Sequence, residues 1–171
     1  MTREKIVVAC DLGGSVIDKV IEGSRAKFLG PDYLLTRVVP QALETLRFLA
    51  QETRGEDGKC NVYVVSACET ALRKKAGWWL EHRRFSEQTG IPSENVLFCD
   101  SRDEKARLYA RLGVTHAVDD RIEVLSGVSA VTKKFLFRQD VDESAPPSSL
   151  EAHVHLAENW PDIVRRILND G

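Results

Sequence analysis

Residues 6–14 read IVVACDLGG, and this stretch decides the fold. The five apolar residues 6–10 are typical of a short strand that is buried on both of its faces. Asp11 ends the apolar run, and Gly13 and Gly14 favour a tight turn directly after it. A strand buried on both faces predicts a parallel sheet that helices cover from both sides.

Similar short apolar runs recur along the chain, and the first three of them stop at a polar residue. They are residues 62–65, 96–99 and 116–118, with 135–137 as a fifth candidate strand and 153–156 as a weaker sixth. Between them, apolar residues recur at helical spacing in residues 41–52, 69–88, 103–112 and 160–168. Strands that alternate with helices imply crossover connections, so we expect an α/β fold with a mostly parallel sheet.

The chain of 171 residues is expected to form a single domain over residues 1–171, because no repeat or linker divides it. Two segments do not follow the alternation of strands and helices. Residues 17–37 are predicted to form an irregular flap after the first strand, and residues 138–151, which are rich in Asp, Pro and Ser, an irregular solvated loop.

Composition excludes several classes of protein. The formal net charge is -2, which argues against a polycationic nucleic-acid binder, although a local basic face stays open. Charged residues make up 29% of the chain and hydrophobic residues 43%, as in an ordinary folded globule. No apolar run approaches the roughly 18 residues of a membrane span, so we expect no membrane association. With no secretory leader recognisable, the sequence predicts a cytoplasmic protein.

Polar residues follow four of the predicted strands. They are Asp11, Ser66, Asp100 and the pair Asp119–Asp120. Because ligands bind beyond the carboxyl ends of strands in an open parallel sheet, we expect these side chains to converge. Carboxylates that converge repel one another unless a cation lies among them, and Mg²⁺ is a cation that such oxygens hold. Lys105, near the start of the helix after the third run, is expected to reach the same edge.

Each of these residues also has a simpler structural explanation. Asp11 would suit the turn before the glycines, Ser66 the N-cap of the helix near residue 69, and Lys105 a solvated helix face. The acids Asp119 and Asp120 would cap the turn at residues 121–125. These readings stay open at this point.

Taken in order, the motifs resemble the haloacid dehalogenase superfamily of aspartate-nucleophile phosphatases. The first motif there is an apolar strand ending in DxDG, compared with Asp11-Leu12-Gly13-Gly14 here. The second is a strand ending in Ser or Thr, matched by Ser66, and the third is a helix lysine, matched by Lys105. The fourth is a strand ending in paired acids, matched by Asp119–Asp120. The resemblance runs from about residue 5 to residue 125 and implies a three-layer, Rossmann-like fold.

The resemblance implies a hydrolase of the phosphatase or phosphotransferase type, with a role for each matched residue. Asp11 would attack a phosphoryl group to form an aspartyl-phosphate. The implied ligands of Mg²⁺ are the carboxylates of Asp11 and of Asp119 or Asp120 and the backbone carbonyl of Gly13. The implied phosphate-binding groups are Ser66, Lys105 and the backbone of Gly13 and Gly14.

One position departs from the family pattern. The second Asp of the first motif, which serves as general acid and base, is Gly13 here. A positioned acid or base contributes about 10²–10⁴ in rate, so we expect a slow or narrow phosphatase, best suited to acyl or aryl phosphates. Otherwise the proton has to come from Asp18, Glu22, His116 or a partner.

The chain also resembles a capless member, because no large insertion separates the motifs. An open site favours a phosphorylated substrate, one that can be macromolecular, or a cap lent by a second copy or another protein. Two alternatives remain at this stage. One is a catalytically silent binding or scaffold protein, and the other is a hydrolase of the dehalogenase or phosphonate-cleaving type.

Overall fold

A computed structural model describes residues 5–22, 25–137 and 154–169. Its centre is a six-stranded parallel sheet that consists of β1 (Val8–Cys10), β4 (Val62–Ala67), β5 (Val96–Cys99), β6 (His116–Asp119), β7 (Lys133–Phe137) and β8 (Val154–Ala157). The spatial order of these strands is β5-β4-β1-β6-β7-β8. All six correspond to predicted apolar runs, and the predicted α/β fold is confirmed.

Helices cover both faces of the sheet. They are α1 (Ala42–Glu52), α2 (Thr70–His82), α3 (Phe85–Thr89), α4 (Arg102–Leu112), α5 (Ile122–Gly127) and α6 (Trp160–Asn169). Helices α1, α2, α3 and α6 share one buried apolar cluster with the sheet, and α4 and α5 share the other. The layers are therefore helix, sheet, helix, in agreement with the expected three-layer, Rossmann-like architecture.

Strand β1 lies in the middle of the sheet and joins the two apolar clusters. Val8 and Cys10 pack on the α1 side, whereas Val7 and Ala9 pack on the α4 side. This alternation follows from the period of two along a strand. It leaves Asp11 at the carboxyl end of the central strand, with β4 and β6 on either side.

One predicted helix is broken in two. The periodicity predicts a single helix over residues 69–88, but α2 ends at His82 and α3 begins at Phe85. Arg84 between them has a left-handed φ of 51°, which changes the direction of the chain. The break turns Phe85 into the core, where it is 2% exposed, and this burial offsets the strained backbone at Arg84.

The flap is more regular than its composition predicts. Strands β2 (Val20–Glu22) and β3 (Arg25–Lys27) form an antiparallel hairpin within residues 17–37. A β-bridge between Ile17 and Val38 joins the two ends of the flap. The other segment expected to be irregular, residues 138–151, lies outside the described residues.

Within the described part of the chain, no helix has both the length and the apolar character that crossing a bilayer requires.

Candidate functional site

Three carboxylates meet at the carboxyl ends of β1 and β6. Asp11 follows β1, Asp119 is the last residue of the neighbouring β6, and Asp120 follows it. One oxygen from each of the three lies within 4.8 Å of the other two. Residues 108 positions apart in the chain thus form one acidic cluster, and this cluster could hold a metal ion.

Lys105 lies between two of these carboxylates. Its Nζ donates hydrogen bonds of 2.7 Å to Asp11 Oδ1 and of 2.7 Å to Asp119 Oδ2. The side chain is only 1% exposed, so it is not the solvated lysine of the simpler reading. Helix α4 fixes its position, because Ser101 caps the helix by accepting the N–H of Glu104 at 3.1 Å.

Burial and mutual charge shift the pKa values of these groups. Burial raises the pKa of Asp11 and of Asp119, because it disfavours the charged carboxylate, while Lys105 acts in the opposite direction. Burial by itself would lower the pKa of Lys105, but the two carboxylates outweigh it and hold that pKa well above its ordinary value. The lysine therefore stays charged and offsets part of the acidic charge.

Asp119 and Asp120 differ in how their oxygens are used. Asp119 accepts from Lys105 with Oδ2 and from the backbone N–H of Arg121 with Oδ1 at 3.0 Å. Asp120 forms an ion pair of 2.6 Å with Lys19 through Oδ2, while its buried Oδ1 has no hydrogen-bond partner. Asp119 thus also caps the following turn, as the simpler explanation predicted. Asp120 is the acid that has a carboxylate oxygen without a hydrogen-bond partner.

The donor set fits a hard divalent cation. With all five groups ionised, the three carboxylates exceed the two ammonium groups of Lys19 and Lys105 by one formal negative charge. A buried carboxylate oxygen without a donor, such as Asp120 Oδ1, costs free energy that a cation would recover. Oxygen ligands of this type suit Mg²⁺ or Ca²⁺ better than soft transition metals.

The acidic cluster opens into a pocket of about 580 Å³. All matched residues of the four motifs line it, and these are Asp11, Gly13, Gly14, Ser66, Lys105, Asp119 and Asp120. Ser66 is a residue of β4 and does not cap α2, since Glu69 occupies the cap position of that helix. Asp100 lies on the pocket rim and pairs with Arg73, so it is not a member of the acidic cluster.

An aromatic ring covers Gly13. A Cβ atom placed on Gly13 would lie 2.8 Å from Phe28 Cδ2 and 3.0 Å from Phe28 Cε2. The φ angle of Gly13 is not in the left-handed region, so the obstacle to a side chain there is the Phe28 ring, which would have to shift, and not the backbone. The space that the second Asp of the family motif would need is therefore taken by Phe28.

The turn after Gly13 needs glycine for a different reason. Gly14 has a φ of 79°, and a Cβ there would collide with the Asp120 carboxylate and the Lys19 side chain. Because neither glycine has a Cβ atom, the Phe28 ring can lie next to Gly13 and the Lys19–Asp120 ion pair next to Gly14.

Two of the three side chains expected to replace the missing acid are not at the pocket. His116 lies at the start of β6, at the opposite end of the strand from Asp119, and stacks on Phe135. Asp18 accepts a hydrogen bond from the backbone N–H of Lys19 and does not line the pocket. The side chain of Glu22, the third candidate, lies outside the described residues.

The sequence did not indicate several residues that line the pocket, five of which have a long or aromatic side chain that is basic or apolar. These five are Lys19, Lys27, Phe28, Arg102 and Arg121. The first three belong to the flap, which has no periodicity that would indicate where its side chains point. Arg102 and Arg121 each follow a strand within a few residues, and their positions beside predicted strand ends could have revealed them.

No known protein-family model matches this chain, and no curated protein matches it in sequence.

Proposed function

We propose that this protein is a Mg²⁺-dependent phosphatase or phosphotransferase of the haloacid dehalogenase type, acting through Asp11. The observation that carries the proposal is the position of Asp11 beside Lys105 and the two other acids, at the wall of a pocket. Phosphoryl transfer requires mainly positioning and stabilisation of negative charge. The side chains of this site could supply both the positioning and the stabilisation of negative charge.

In the first step an oxygen of Asp11 would attack phosphorus while the bond to the leaving oxygen breaks. The leaving group departs with the bonding electron pair, and a phosphoryl group remains on the Asp11 carboxylate. Lys105 would hold the attacking carboxylate in place through its 2.7 Å hydrogen bond. The hydroxyl of Ser66, on the neighbouring strand, would donate to a phosphoryl oxygen.

In the second step water would attack the phosphorus of the aspartyl-phosphate. The carboxylate of Asp11 is regenerated, phosphate is released, and the proton of the attacking water passes to solvent or to phosphate. A different acceptor in place of water would give a phosphotransferase. Among the described residues, the side chain that lies against Gly13 is the Phe28 ring, which has no proton to exchange and so cannot speed this proton transfer.

A bound Mg²⁺ would supply positive charge that offsets Asp11 and the phosphoryl oxygens. The residues that would hold it are Asp11, Asp120 through its unpartnered Oδ1, and the backbone carbonyl of Gly13. Asp119 would act mainly by positioning Lys105, because both of its oxygens already accept hydrogen bonds.

The basic rim would attract the substrate. Lys27, Arg102 and Arg121 line the pocket together with the acidic cluster. Such cations favour a phosphorylated ligand, whether a small molecule or a modified macromolecule. A second subunit or a protein partner that covers the opening would exclude water further.

The test of the proposal is phosphoenzyme formation. Acetyl phosphate needs no general acid, so with Mg²⁺ present we expect stoichiometric labelling of the protein and slow release of phosphate. Intact-mass spectrometry would show a gain of one phosphoryl group, and peptide mapping would place it on Asp11. Beryllofluoride, which mimics the phosphoryl group, is expected to bind only when Mg²⁺ is present.

A folded protein that neither takes a phosphoryl group from acetyl phosphate at residue 11 nor binds beryllofluoride there would contradict the enzymatic proposal. The acidic cluster would then belong to a cation-binding or scaffold protein.

Asp120→Asn should weaken Mg²⁺ binding about tenfold or more, because it removes a full negative charge a few ångströms from the cation. Calorimetric titration of the substrate-free protein with MgCl₂ measures this directly. Asp100→Asn is the matched control, since Asp100 lines the same pocket but pairs with Arg73 outside the acidic cluster. Equal affinities for the wild type and Asp120→Asn would exclude Asp120 as a ligand.

A further inference from the structure

Phe28 is held over Gly13 by the structure of the flap. The residue after it, Leu29, has a left-handed φ of 55°, a backbone conformation that residues other than glycine rarely adopt. Leu29 is nonetheless 2% exposed and belongs to the core cluster on the α1 side. Burial of Leu29 therefore offsets the strained backbone and fixes the direction in which the preceding ring points.

The ends of the flap are also fixed. Trp79 Nε1 donates a hydrogen bond of 2.9 Å to the carbonyl of Thr36, and Arg83 donates one of 2.9 Å to the same oxygen. The backbone N–H of Asp18 donates to the carbonyl of Arg37 at 2.9 Å. The ring of Phe28 is therefore part of a built wall and not the tip of a loose loop.

Phe28 lines the same pocket as Asp11, together with the apolar side chain of Val124 and the basic side chains of Lys27, Arg102 and Arg121. Its ring lies against Gly13, two residues after Asp11. In the in-line geometry of phosphoryl transfer, the leaving oxygen would lie on the side of phosphorus opposite the attacking Asp11 oxygen, within this pocket. An aromatic face binds another ring by offset stacking and also favours its burial.

We propose that Phe28 is a specificity-determining residue that selects aryl phosphates, binding the ring of the leaving group at the place where the family that the motifs resemble has its acid. This inference rests on the proposed function, whose reaction it refines. The inference connects the position of the Phe28 ring with the kind of leaving group that the site can release. The ring excludes a general acid above Gly13, and an aryloxide is a leaving group that departs without one. Gly13 and Phe28 thus depend on each other: an Asp at position 13 has room to act as an acid only if the Phe28 ring is also replaced.

Binding can be tested without turnover. Phenylphosphonate has a phenyl ring where methylphosphonate has a methyl group, and neither contains an ester bond that could be hydrolysed. In the presence of Mg²⁺ we expect the wild-type protein to bind phenylphosphonate about three- to tenfold more tightly, measured by calorimetry. Phe28→Ala should abolish the difference, and Phe28→Leu, which keeps apolar volume but has no ring, should reduce it.

Turnover supplies a second readout. The ratio of kcat/KM for phenyl phosphate to that for acetyl phosphate should fall about three- to tenfold in Phe28→Ala, mainly through KM for the aryl substrate. A phosphotyrosyl peptide presents the same ring and phosphate. Tighter binding of the peptide than of phenyl phosphate would assign the aryl phosphate to a protein, and the reverse would assign it to a small molecule.

The pairing of Gly13 with Phe28 predicts non-additive substitutions. Gly13→Asp alone should not increase hydrolysis of an alkyl phosphate such as glycerol phosphate, because the new side chain meets the ring. Gly13→Asp combined with Phe28→Ala should raise it about 100-fold or more, since the acid then has room. Thermal unfolding of each variant confirms that the comparison is between folded proteins.

Equal binding of the two phosphonates by the wild type, or a preference that survives Phe28→Ala and Phe28→Leu, would overturn the inference. Both results are compatible with phosphorylation of Asp11 by acetyl phosphate. A failure of that phosphorylation, in contrast, would refute the proposed function and leave the binding preference for the ring as a separate measurement.

Discussion

Asp11→Asn is expected to reduce Mg²⁺-dependent phosphate release by at least about four orders of magnitude and to abolish phosphoenzyme formation. An amide has nearly the shape of the carboxylate but is a poor nucleophile, and it cannot give a stable acyl phosphate. Lys105 keeps its second partner, Asp119, at 2.7 Å, so the pocket should retain its form. Single-turnover assays with acetyl phosphate and intact-mass spectrometry measure both effects.

Asp103→Asn is the matched control for this substitution. Asp103 is an exposed carboxylate in the first turn of α4, the helix that carries Lys105, and it does not line the pocket. Its replacement should leave phosphate release within about twofold of the wild type. Full phosphorylation of a folded Asp11→Asn protein would show that another residue is the nucleophile.

Lys105→Met is expected to lower both turnover and stability. Loss of the charged donor should reduce kcat by about 10²–10³, in the range found when one positioned electrostatic contact is removed. Removing one partner from a buried ion pair is expected to cost about 3–5 kcal/mol of unfolding free energy, because two carboxylates are left with no cation between them. Urea unfolding in the absence of Mg²⁺ measures the second effect.

The response to Mg²⁺ separates the electrostatic explanation from a simple packing defect. Without the ammonium group the acidic cluster is more negative, so Mg²⁺ should bind Lys105→Met more tightly and raise its melting temperature more than that of the wild type. Lys74→Met, an exposed position on α2, is the control and should change neither property. A loss of stability that Mg²⁺ does not reduce would indicate a cavity instead of unbalanced charge.

Much of the fold follows from local sequence pattern. Each of the six sheet strands corresponds to a predicted apolar run, and the polar residues at the ends of four of them lie at the same edge because parallel strands share their direction. Asp11, Ser66, Lys105 and the pair Asp119–Asp120 could therefore be placed together from their positions alone. Their roles in phosphoryl transfer remain a proposal.

The features that the sequence did not predict depend on contacts between distant segments. Phe28 lies over Gly13, and Lys19 pairs with Asp120, only because the hairpin folds back over the end of β1. The break at Arg84 likewise follows from burial of Phe85 in the core, against the local helical periodicity. Hydrophobic periodicity indicates which side of a helix or strand is apolar. It does not indicate where an irregular segment such as the flap packs on the domain.

Strand β1 contributes alternate side chains to both apolar clusters, and this has a consequence for how the protein loses its structure. Fraying at Asp11 would expose Cys10 to water on one side of the sheet and Ala9 on the other. We therefore expect local opening at the carboxyl end of β1 to cost more free energy than opening of the edge strands β5 and β8. The carboxylates that meet there are accordingly attached to a central strand and not to an edge of the sheet.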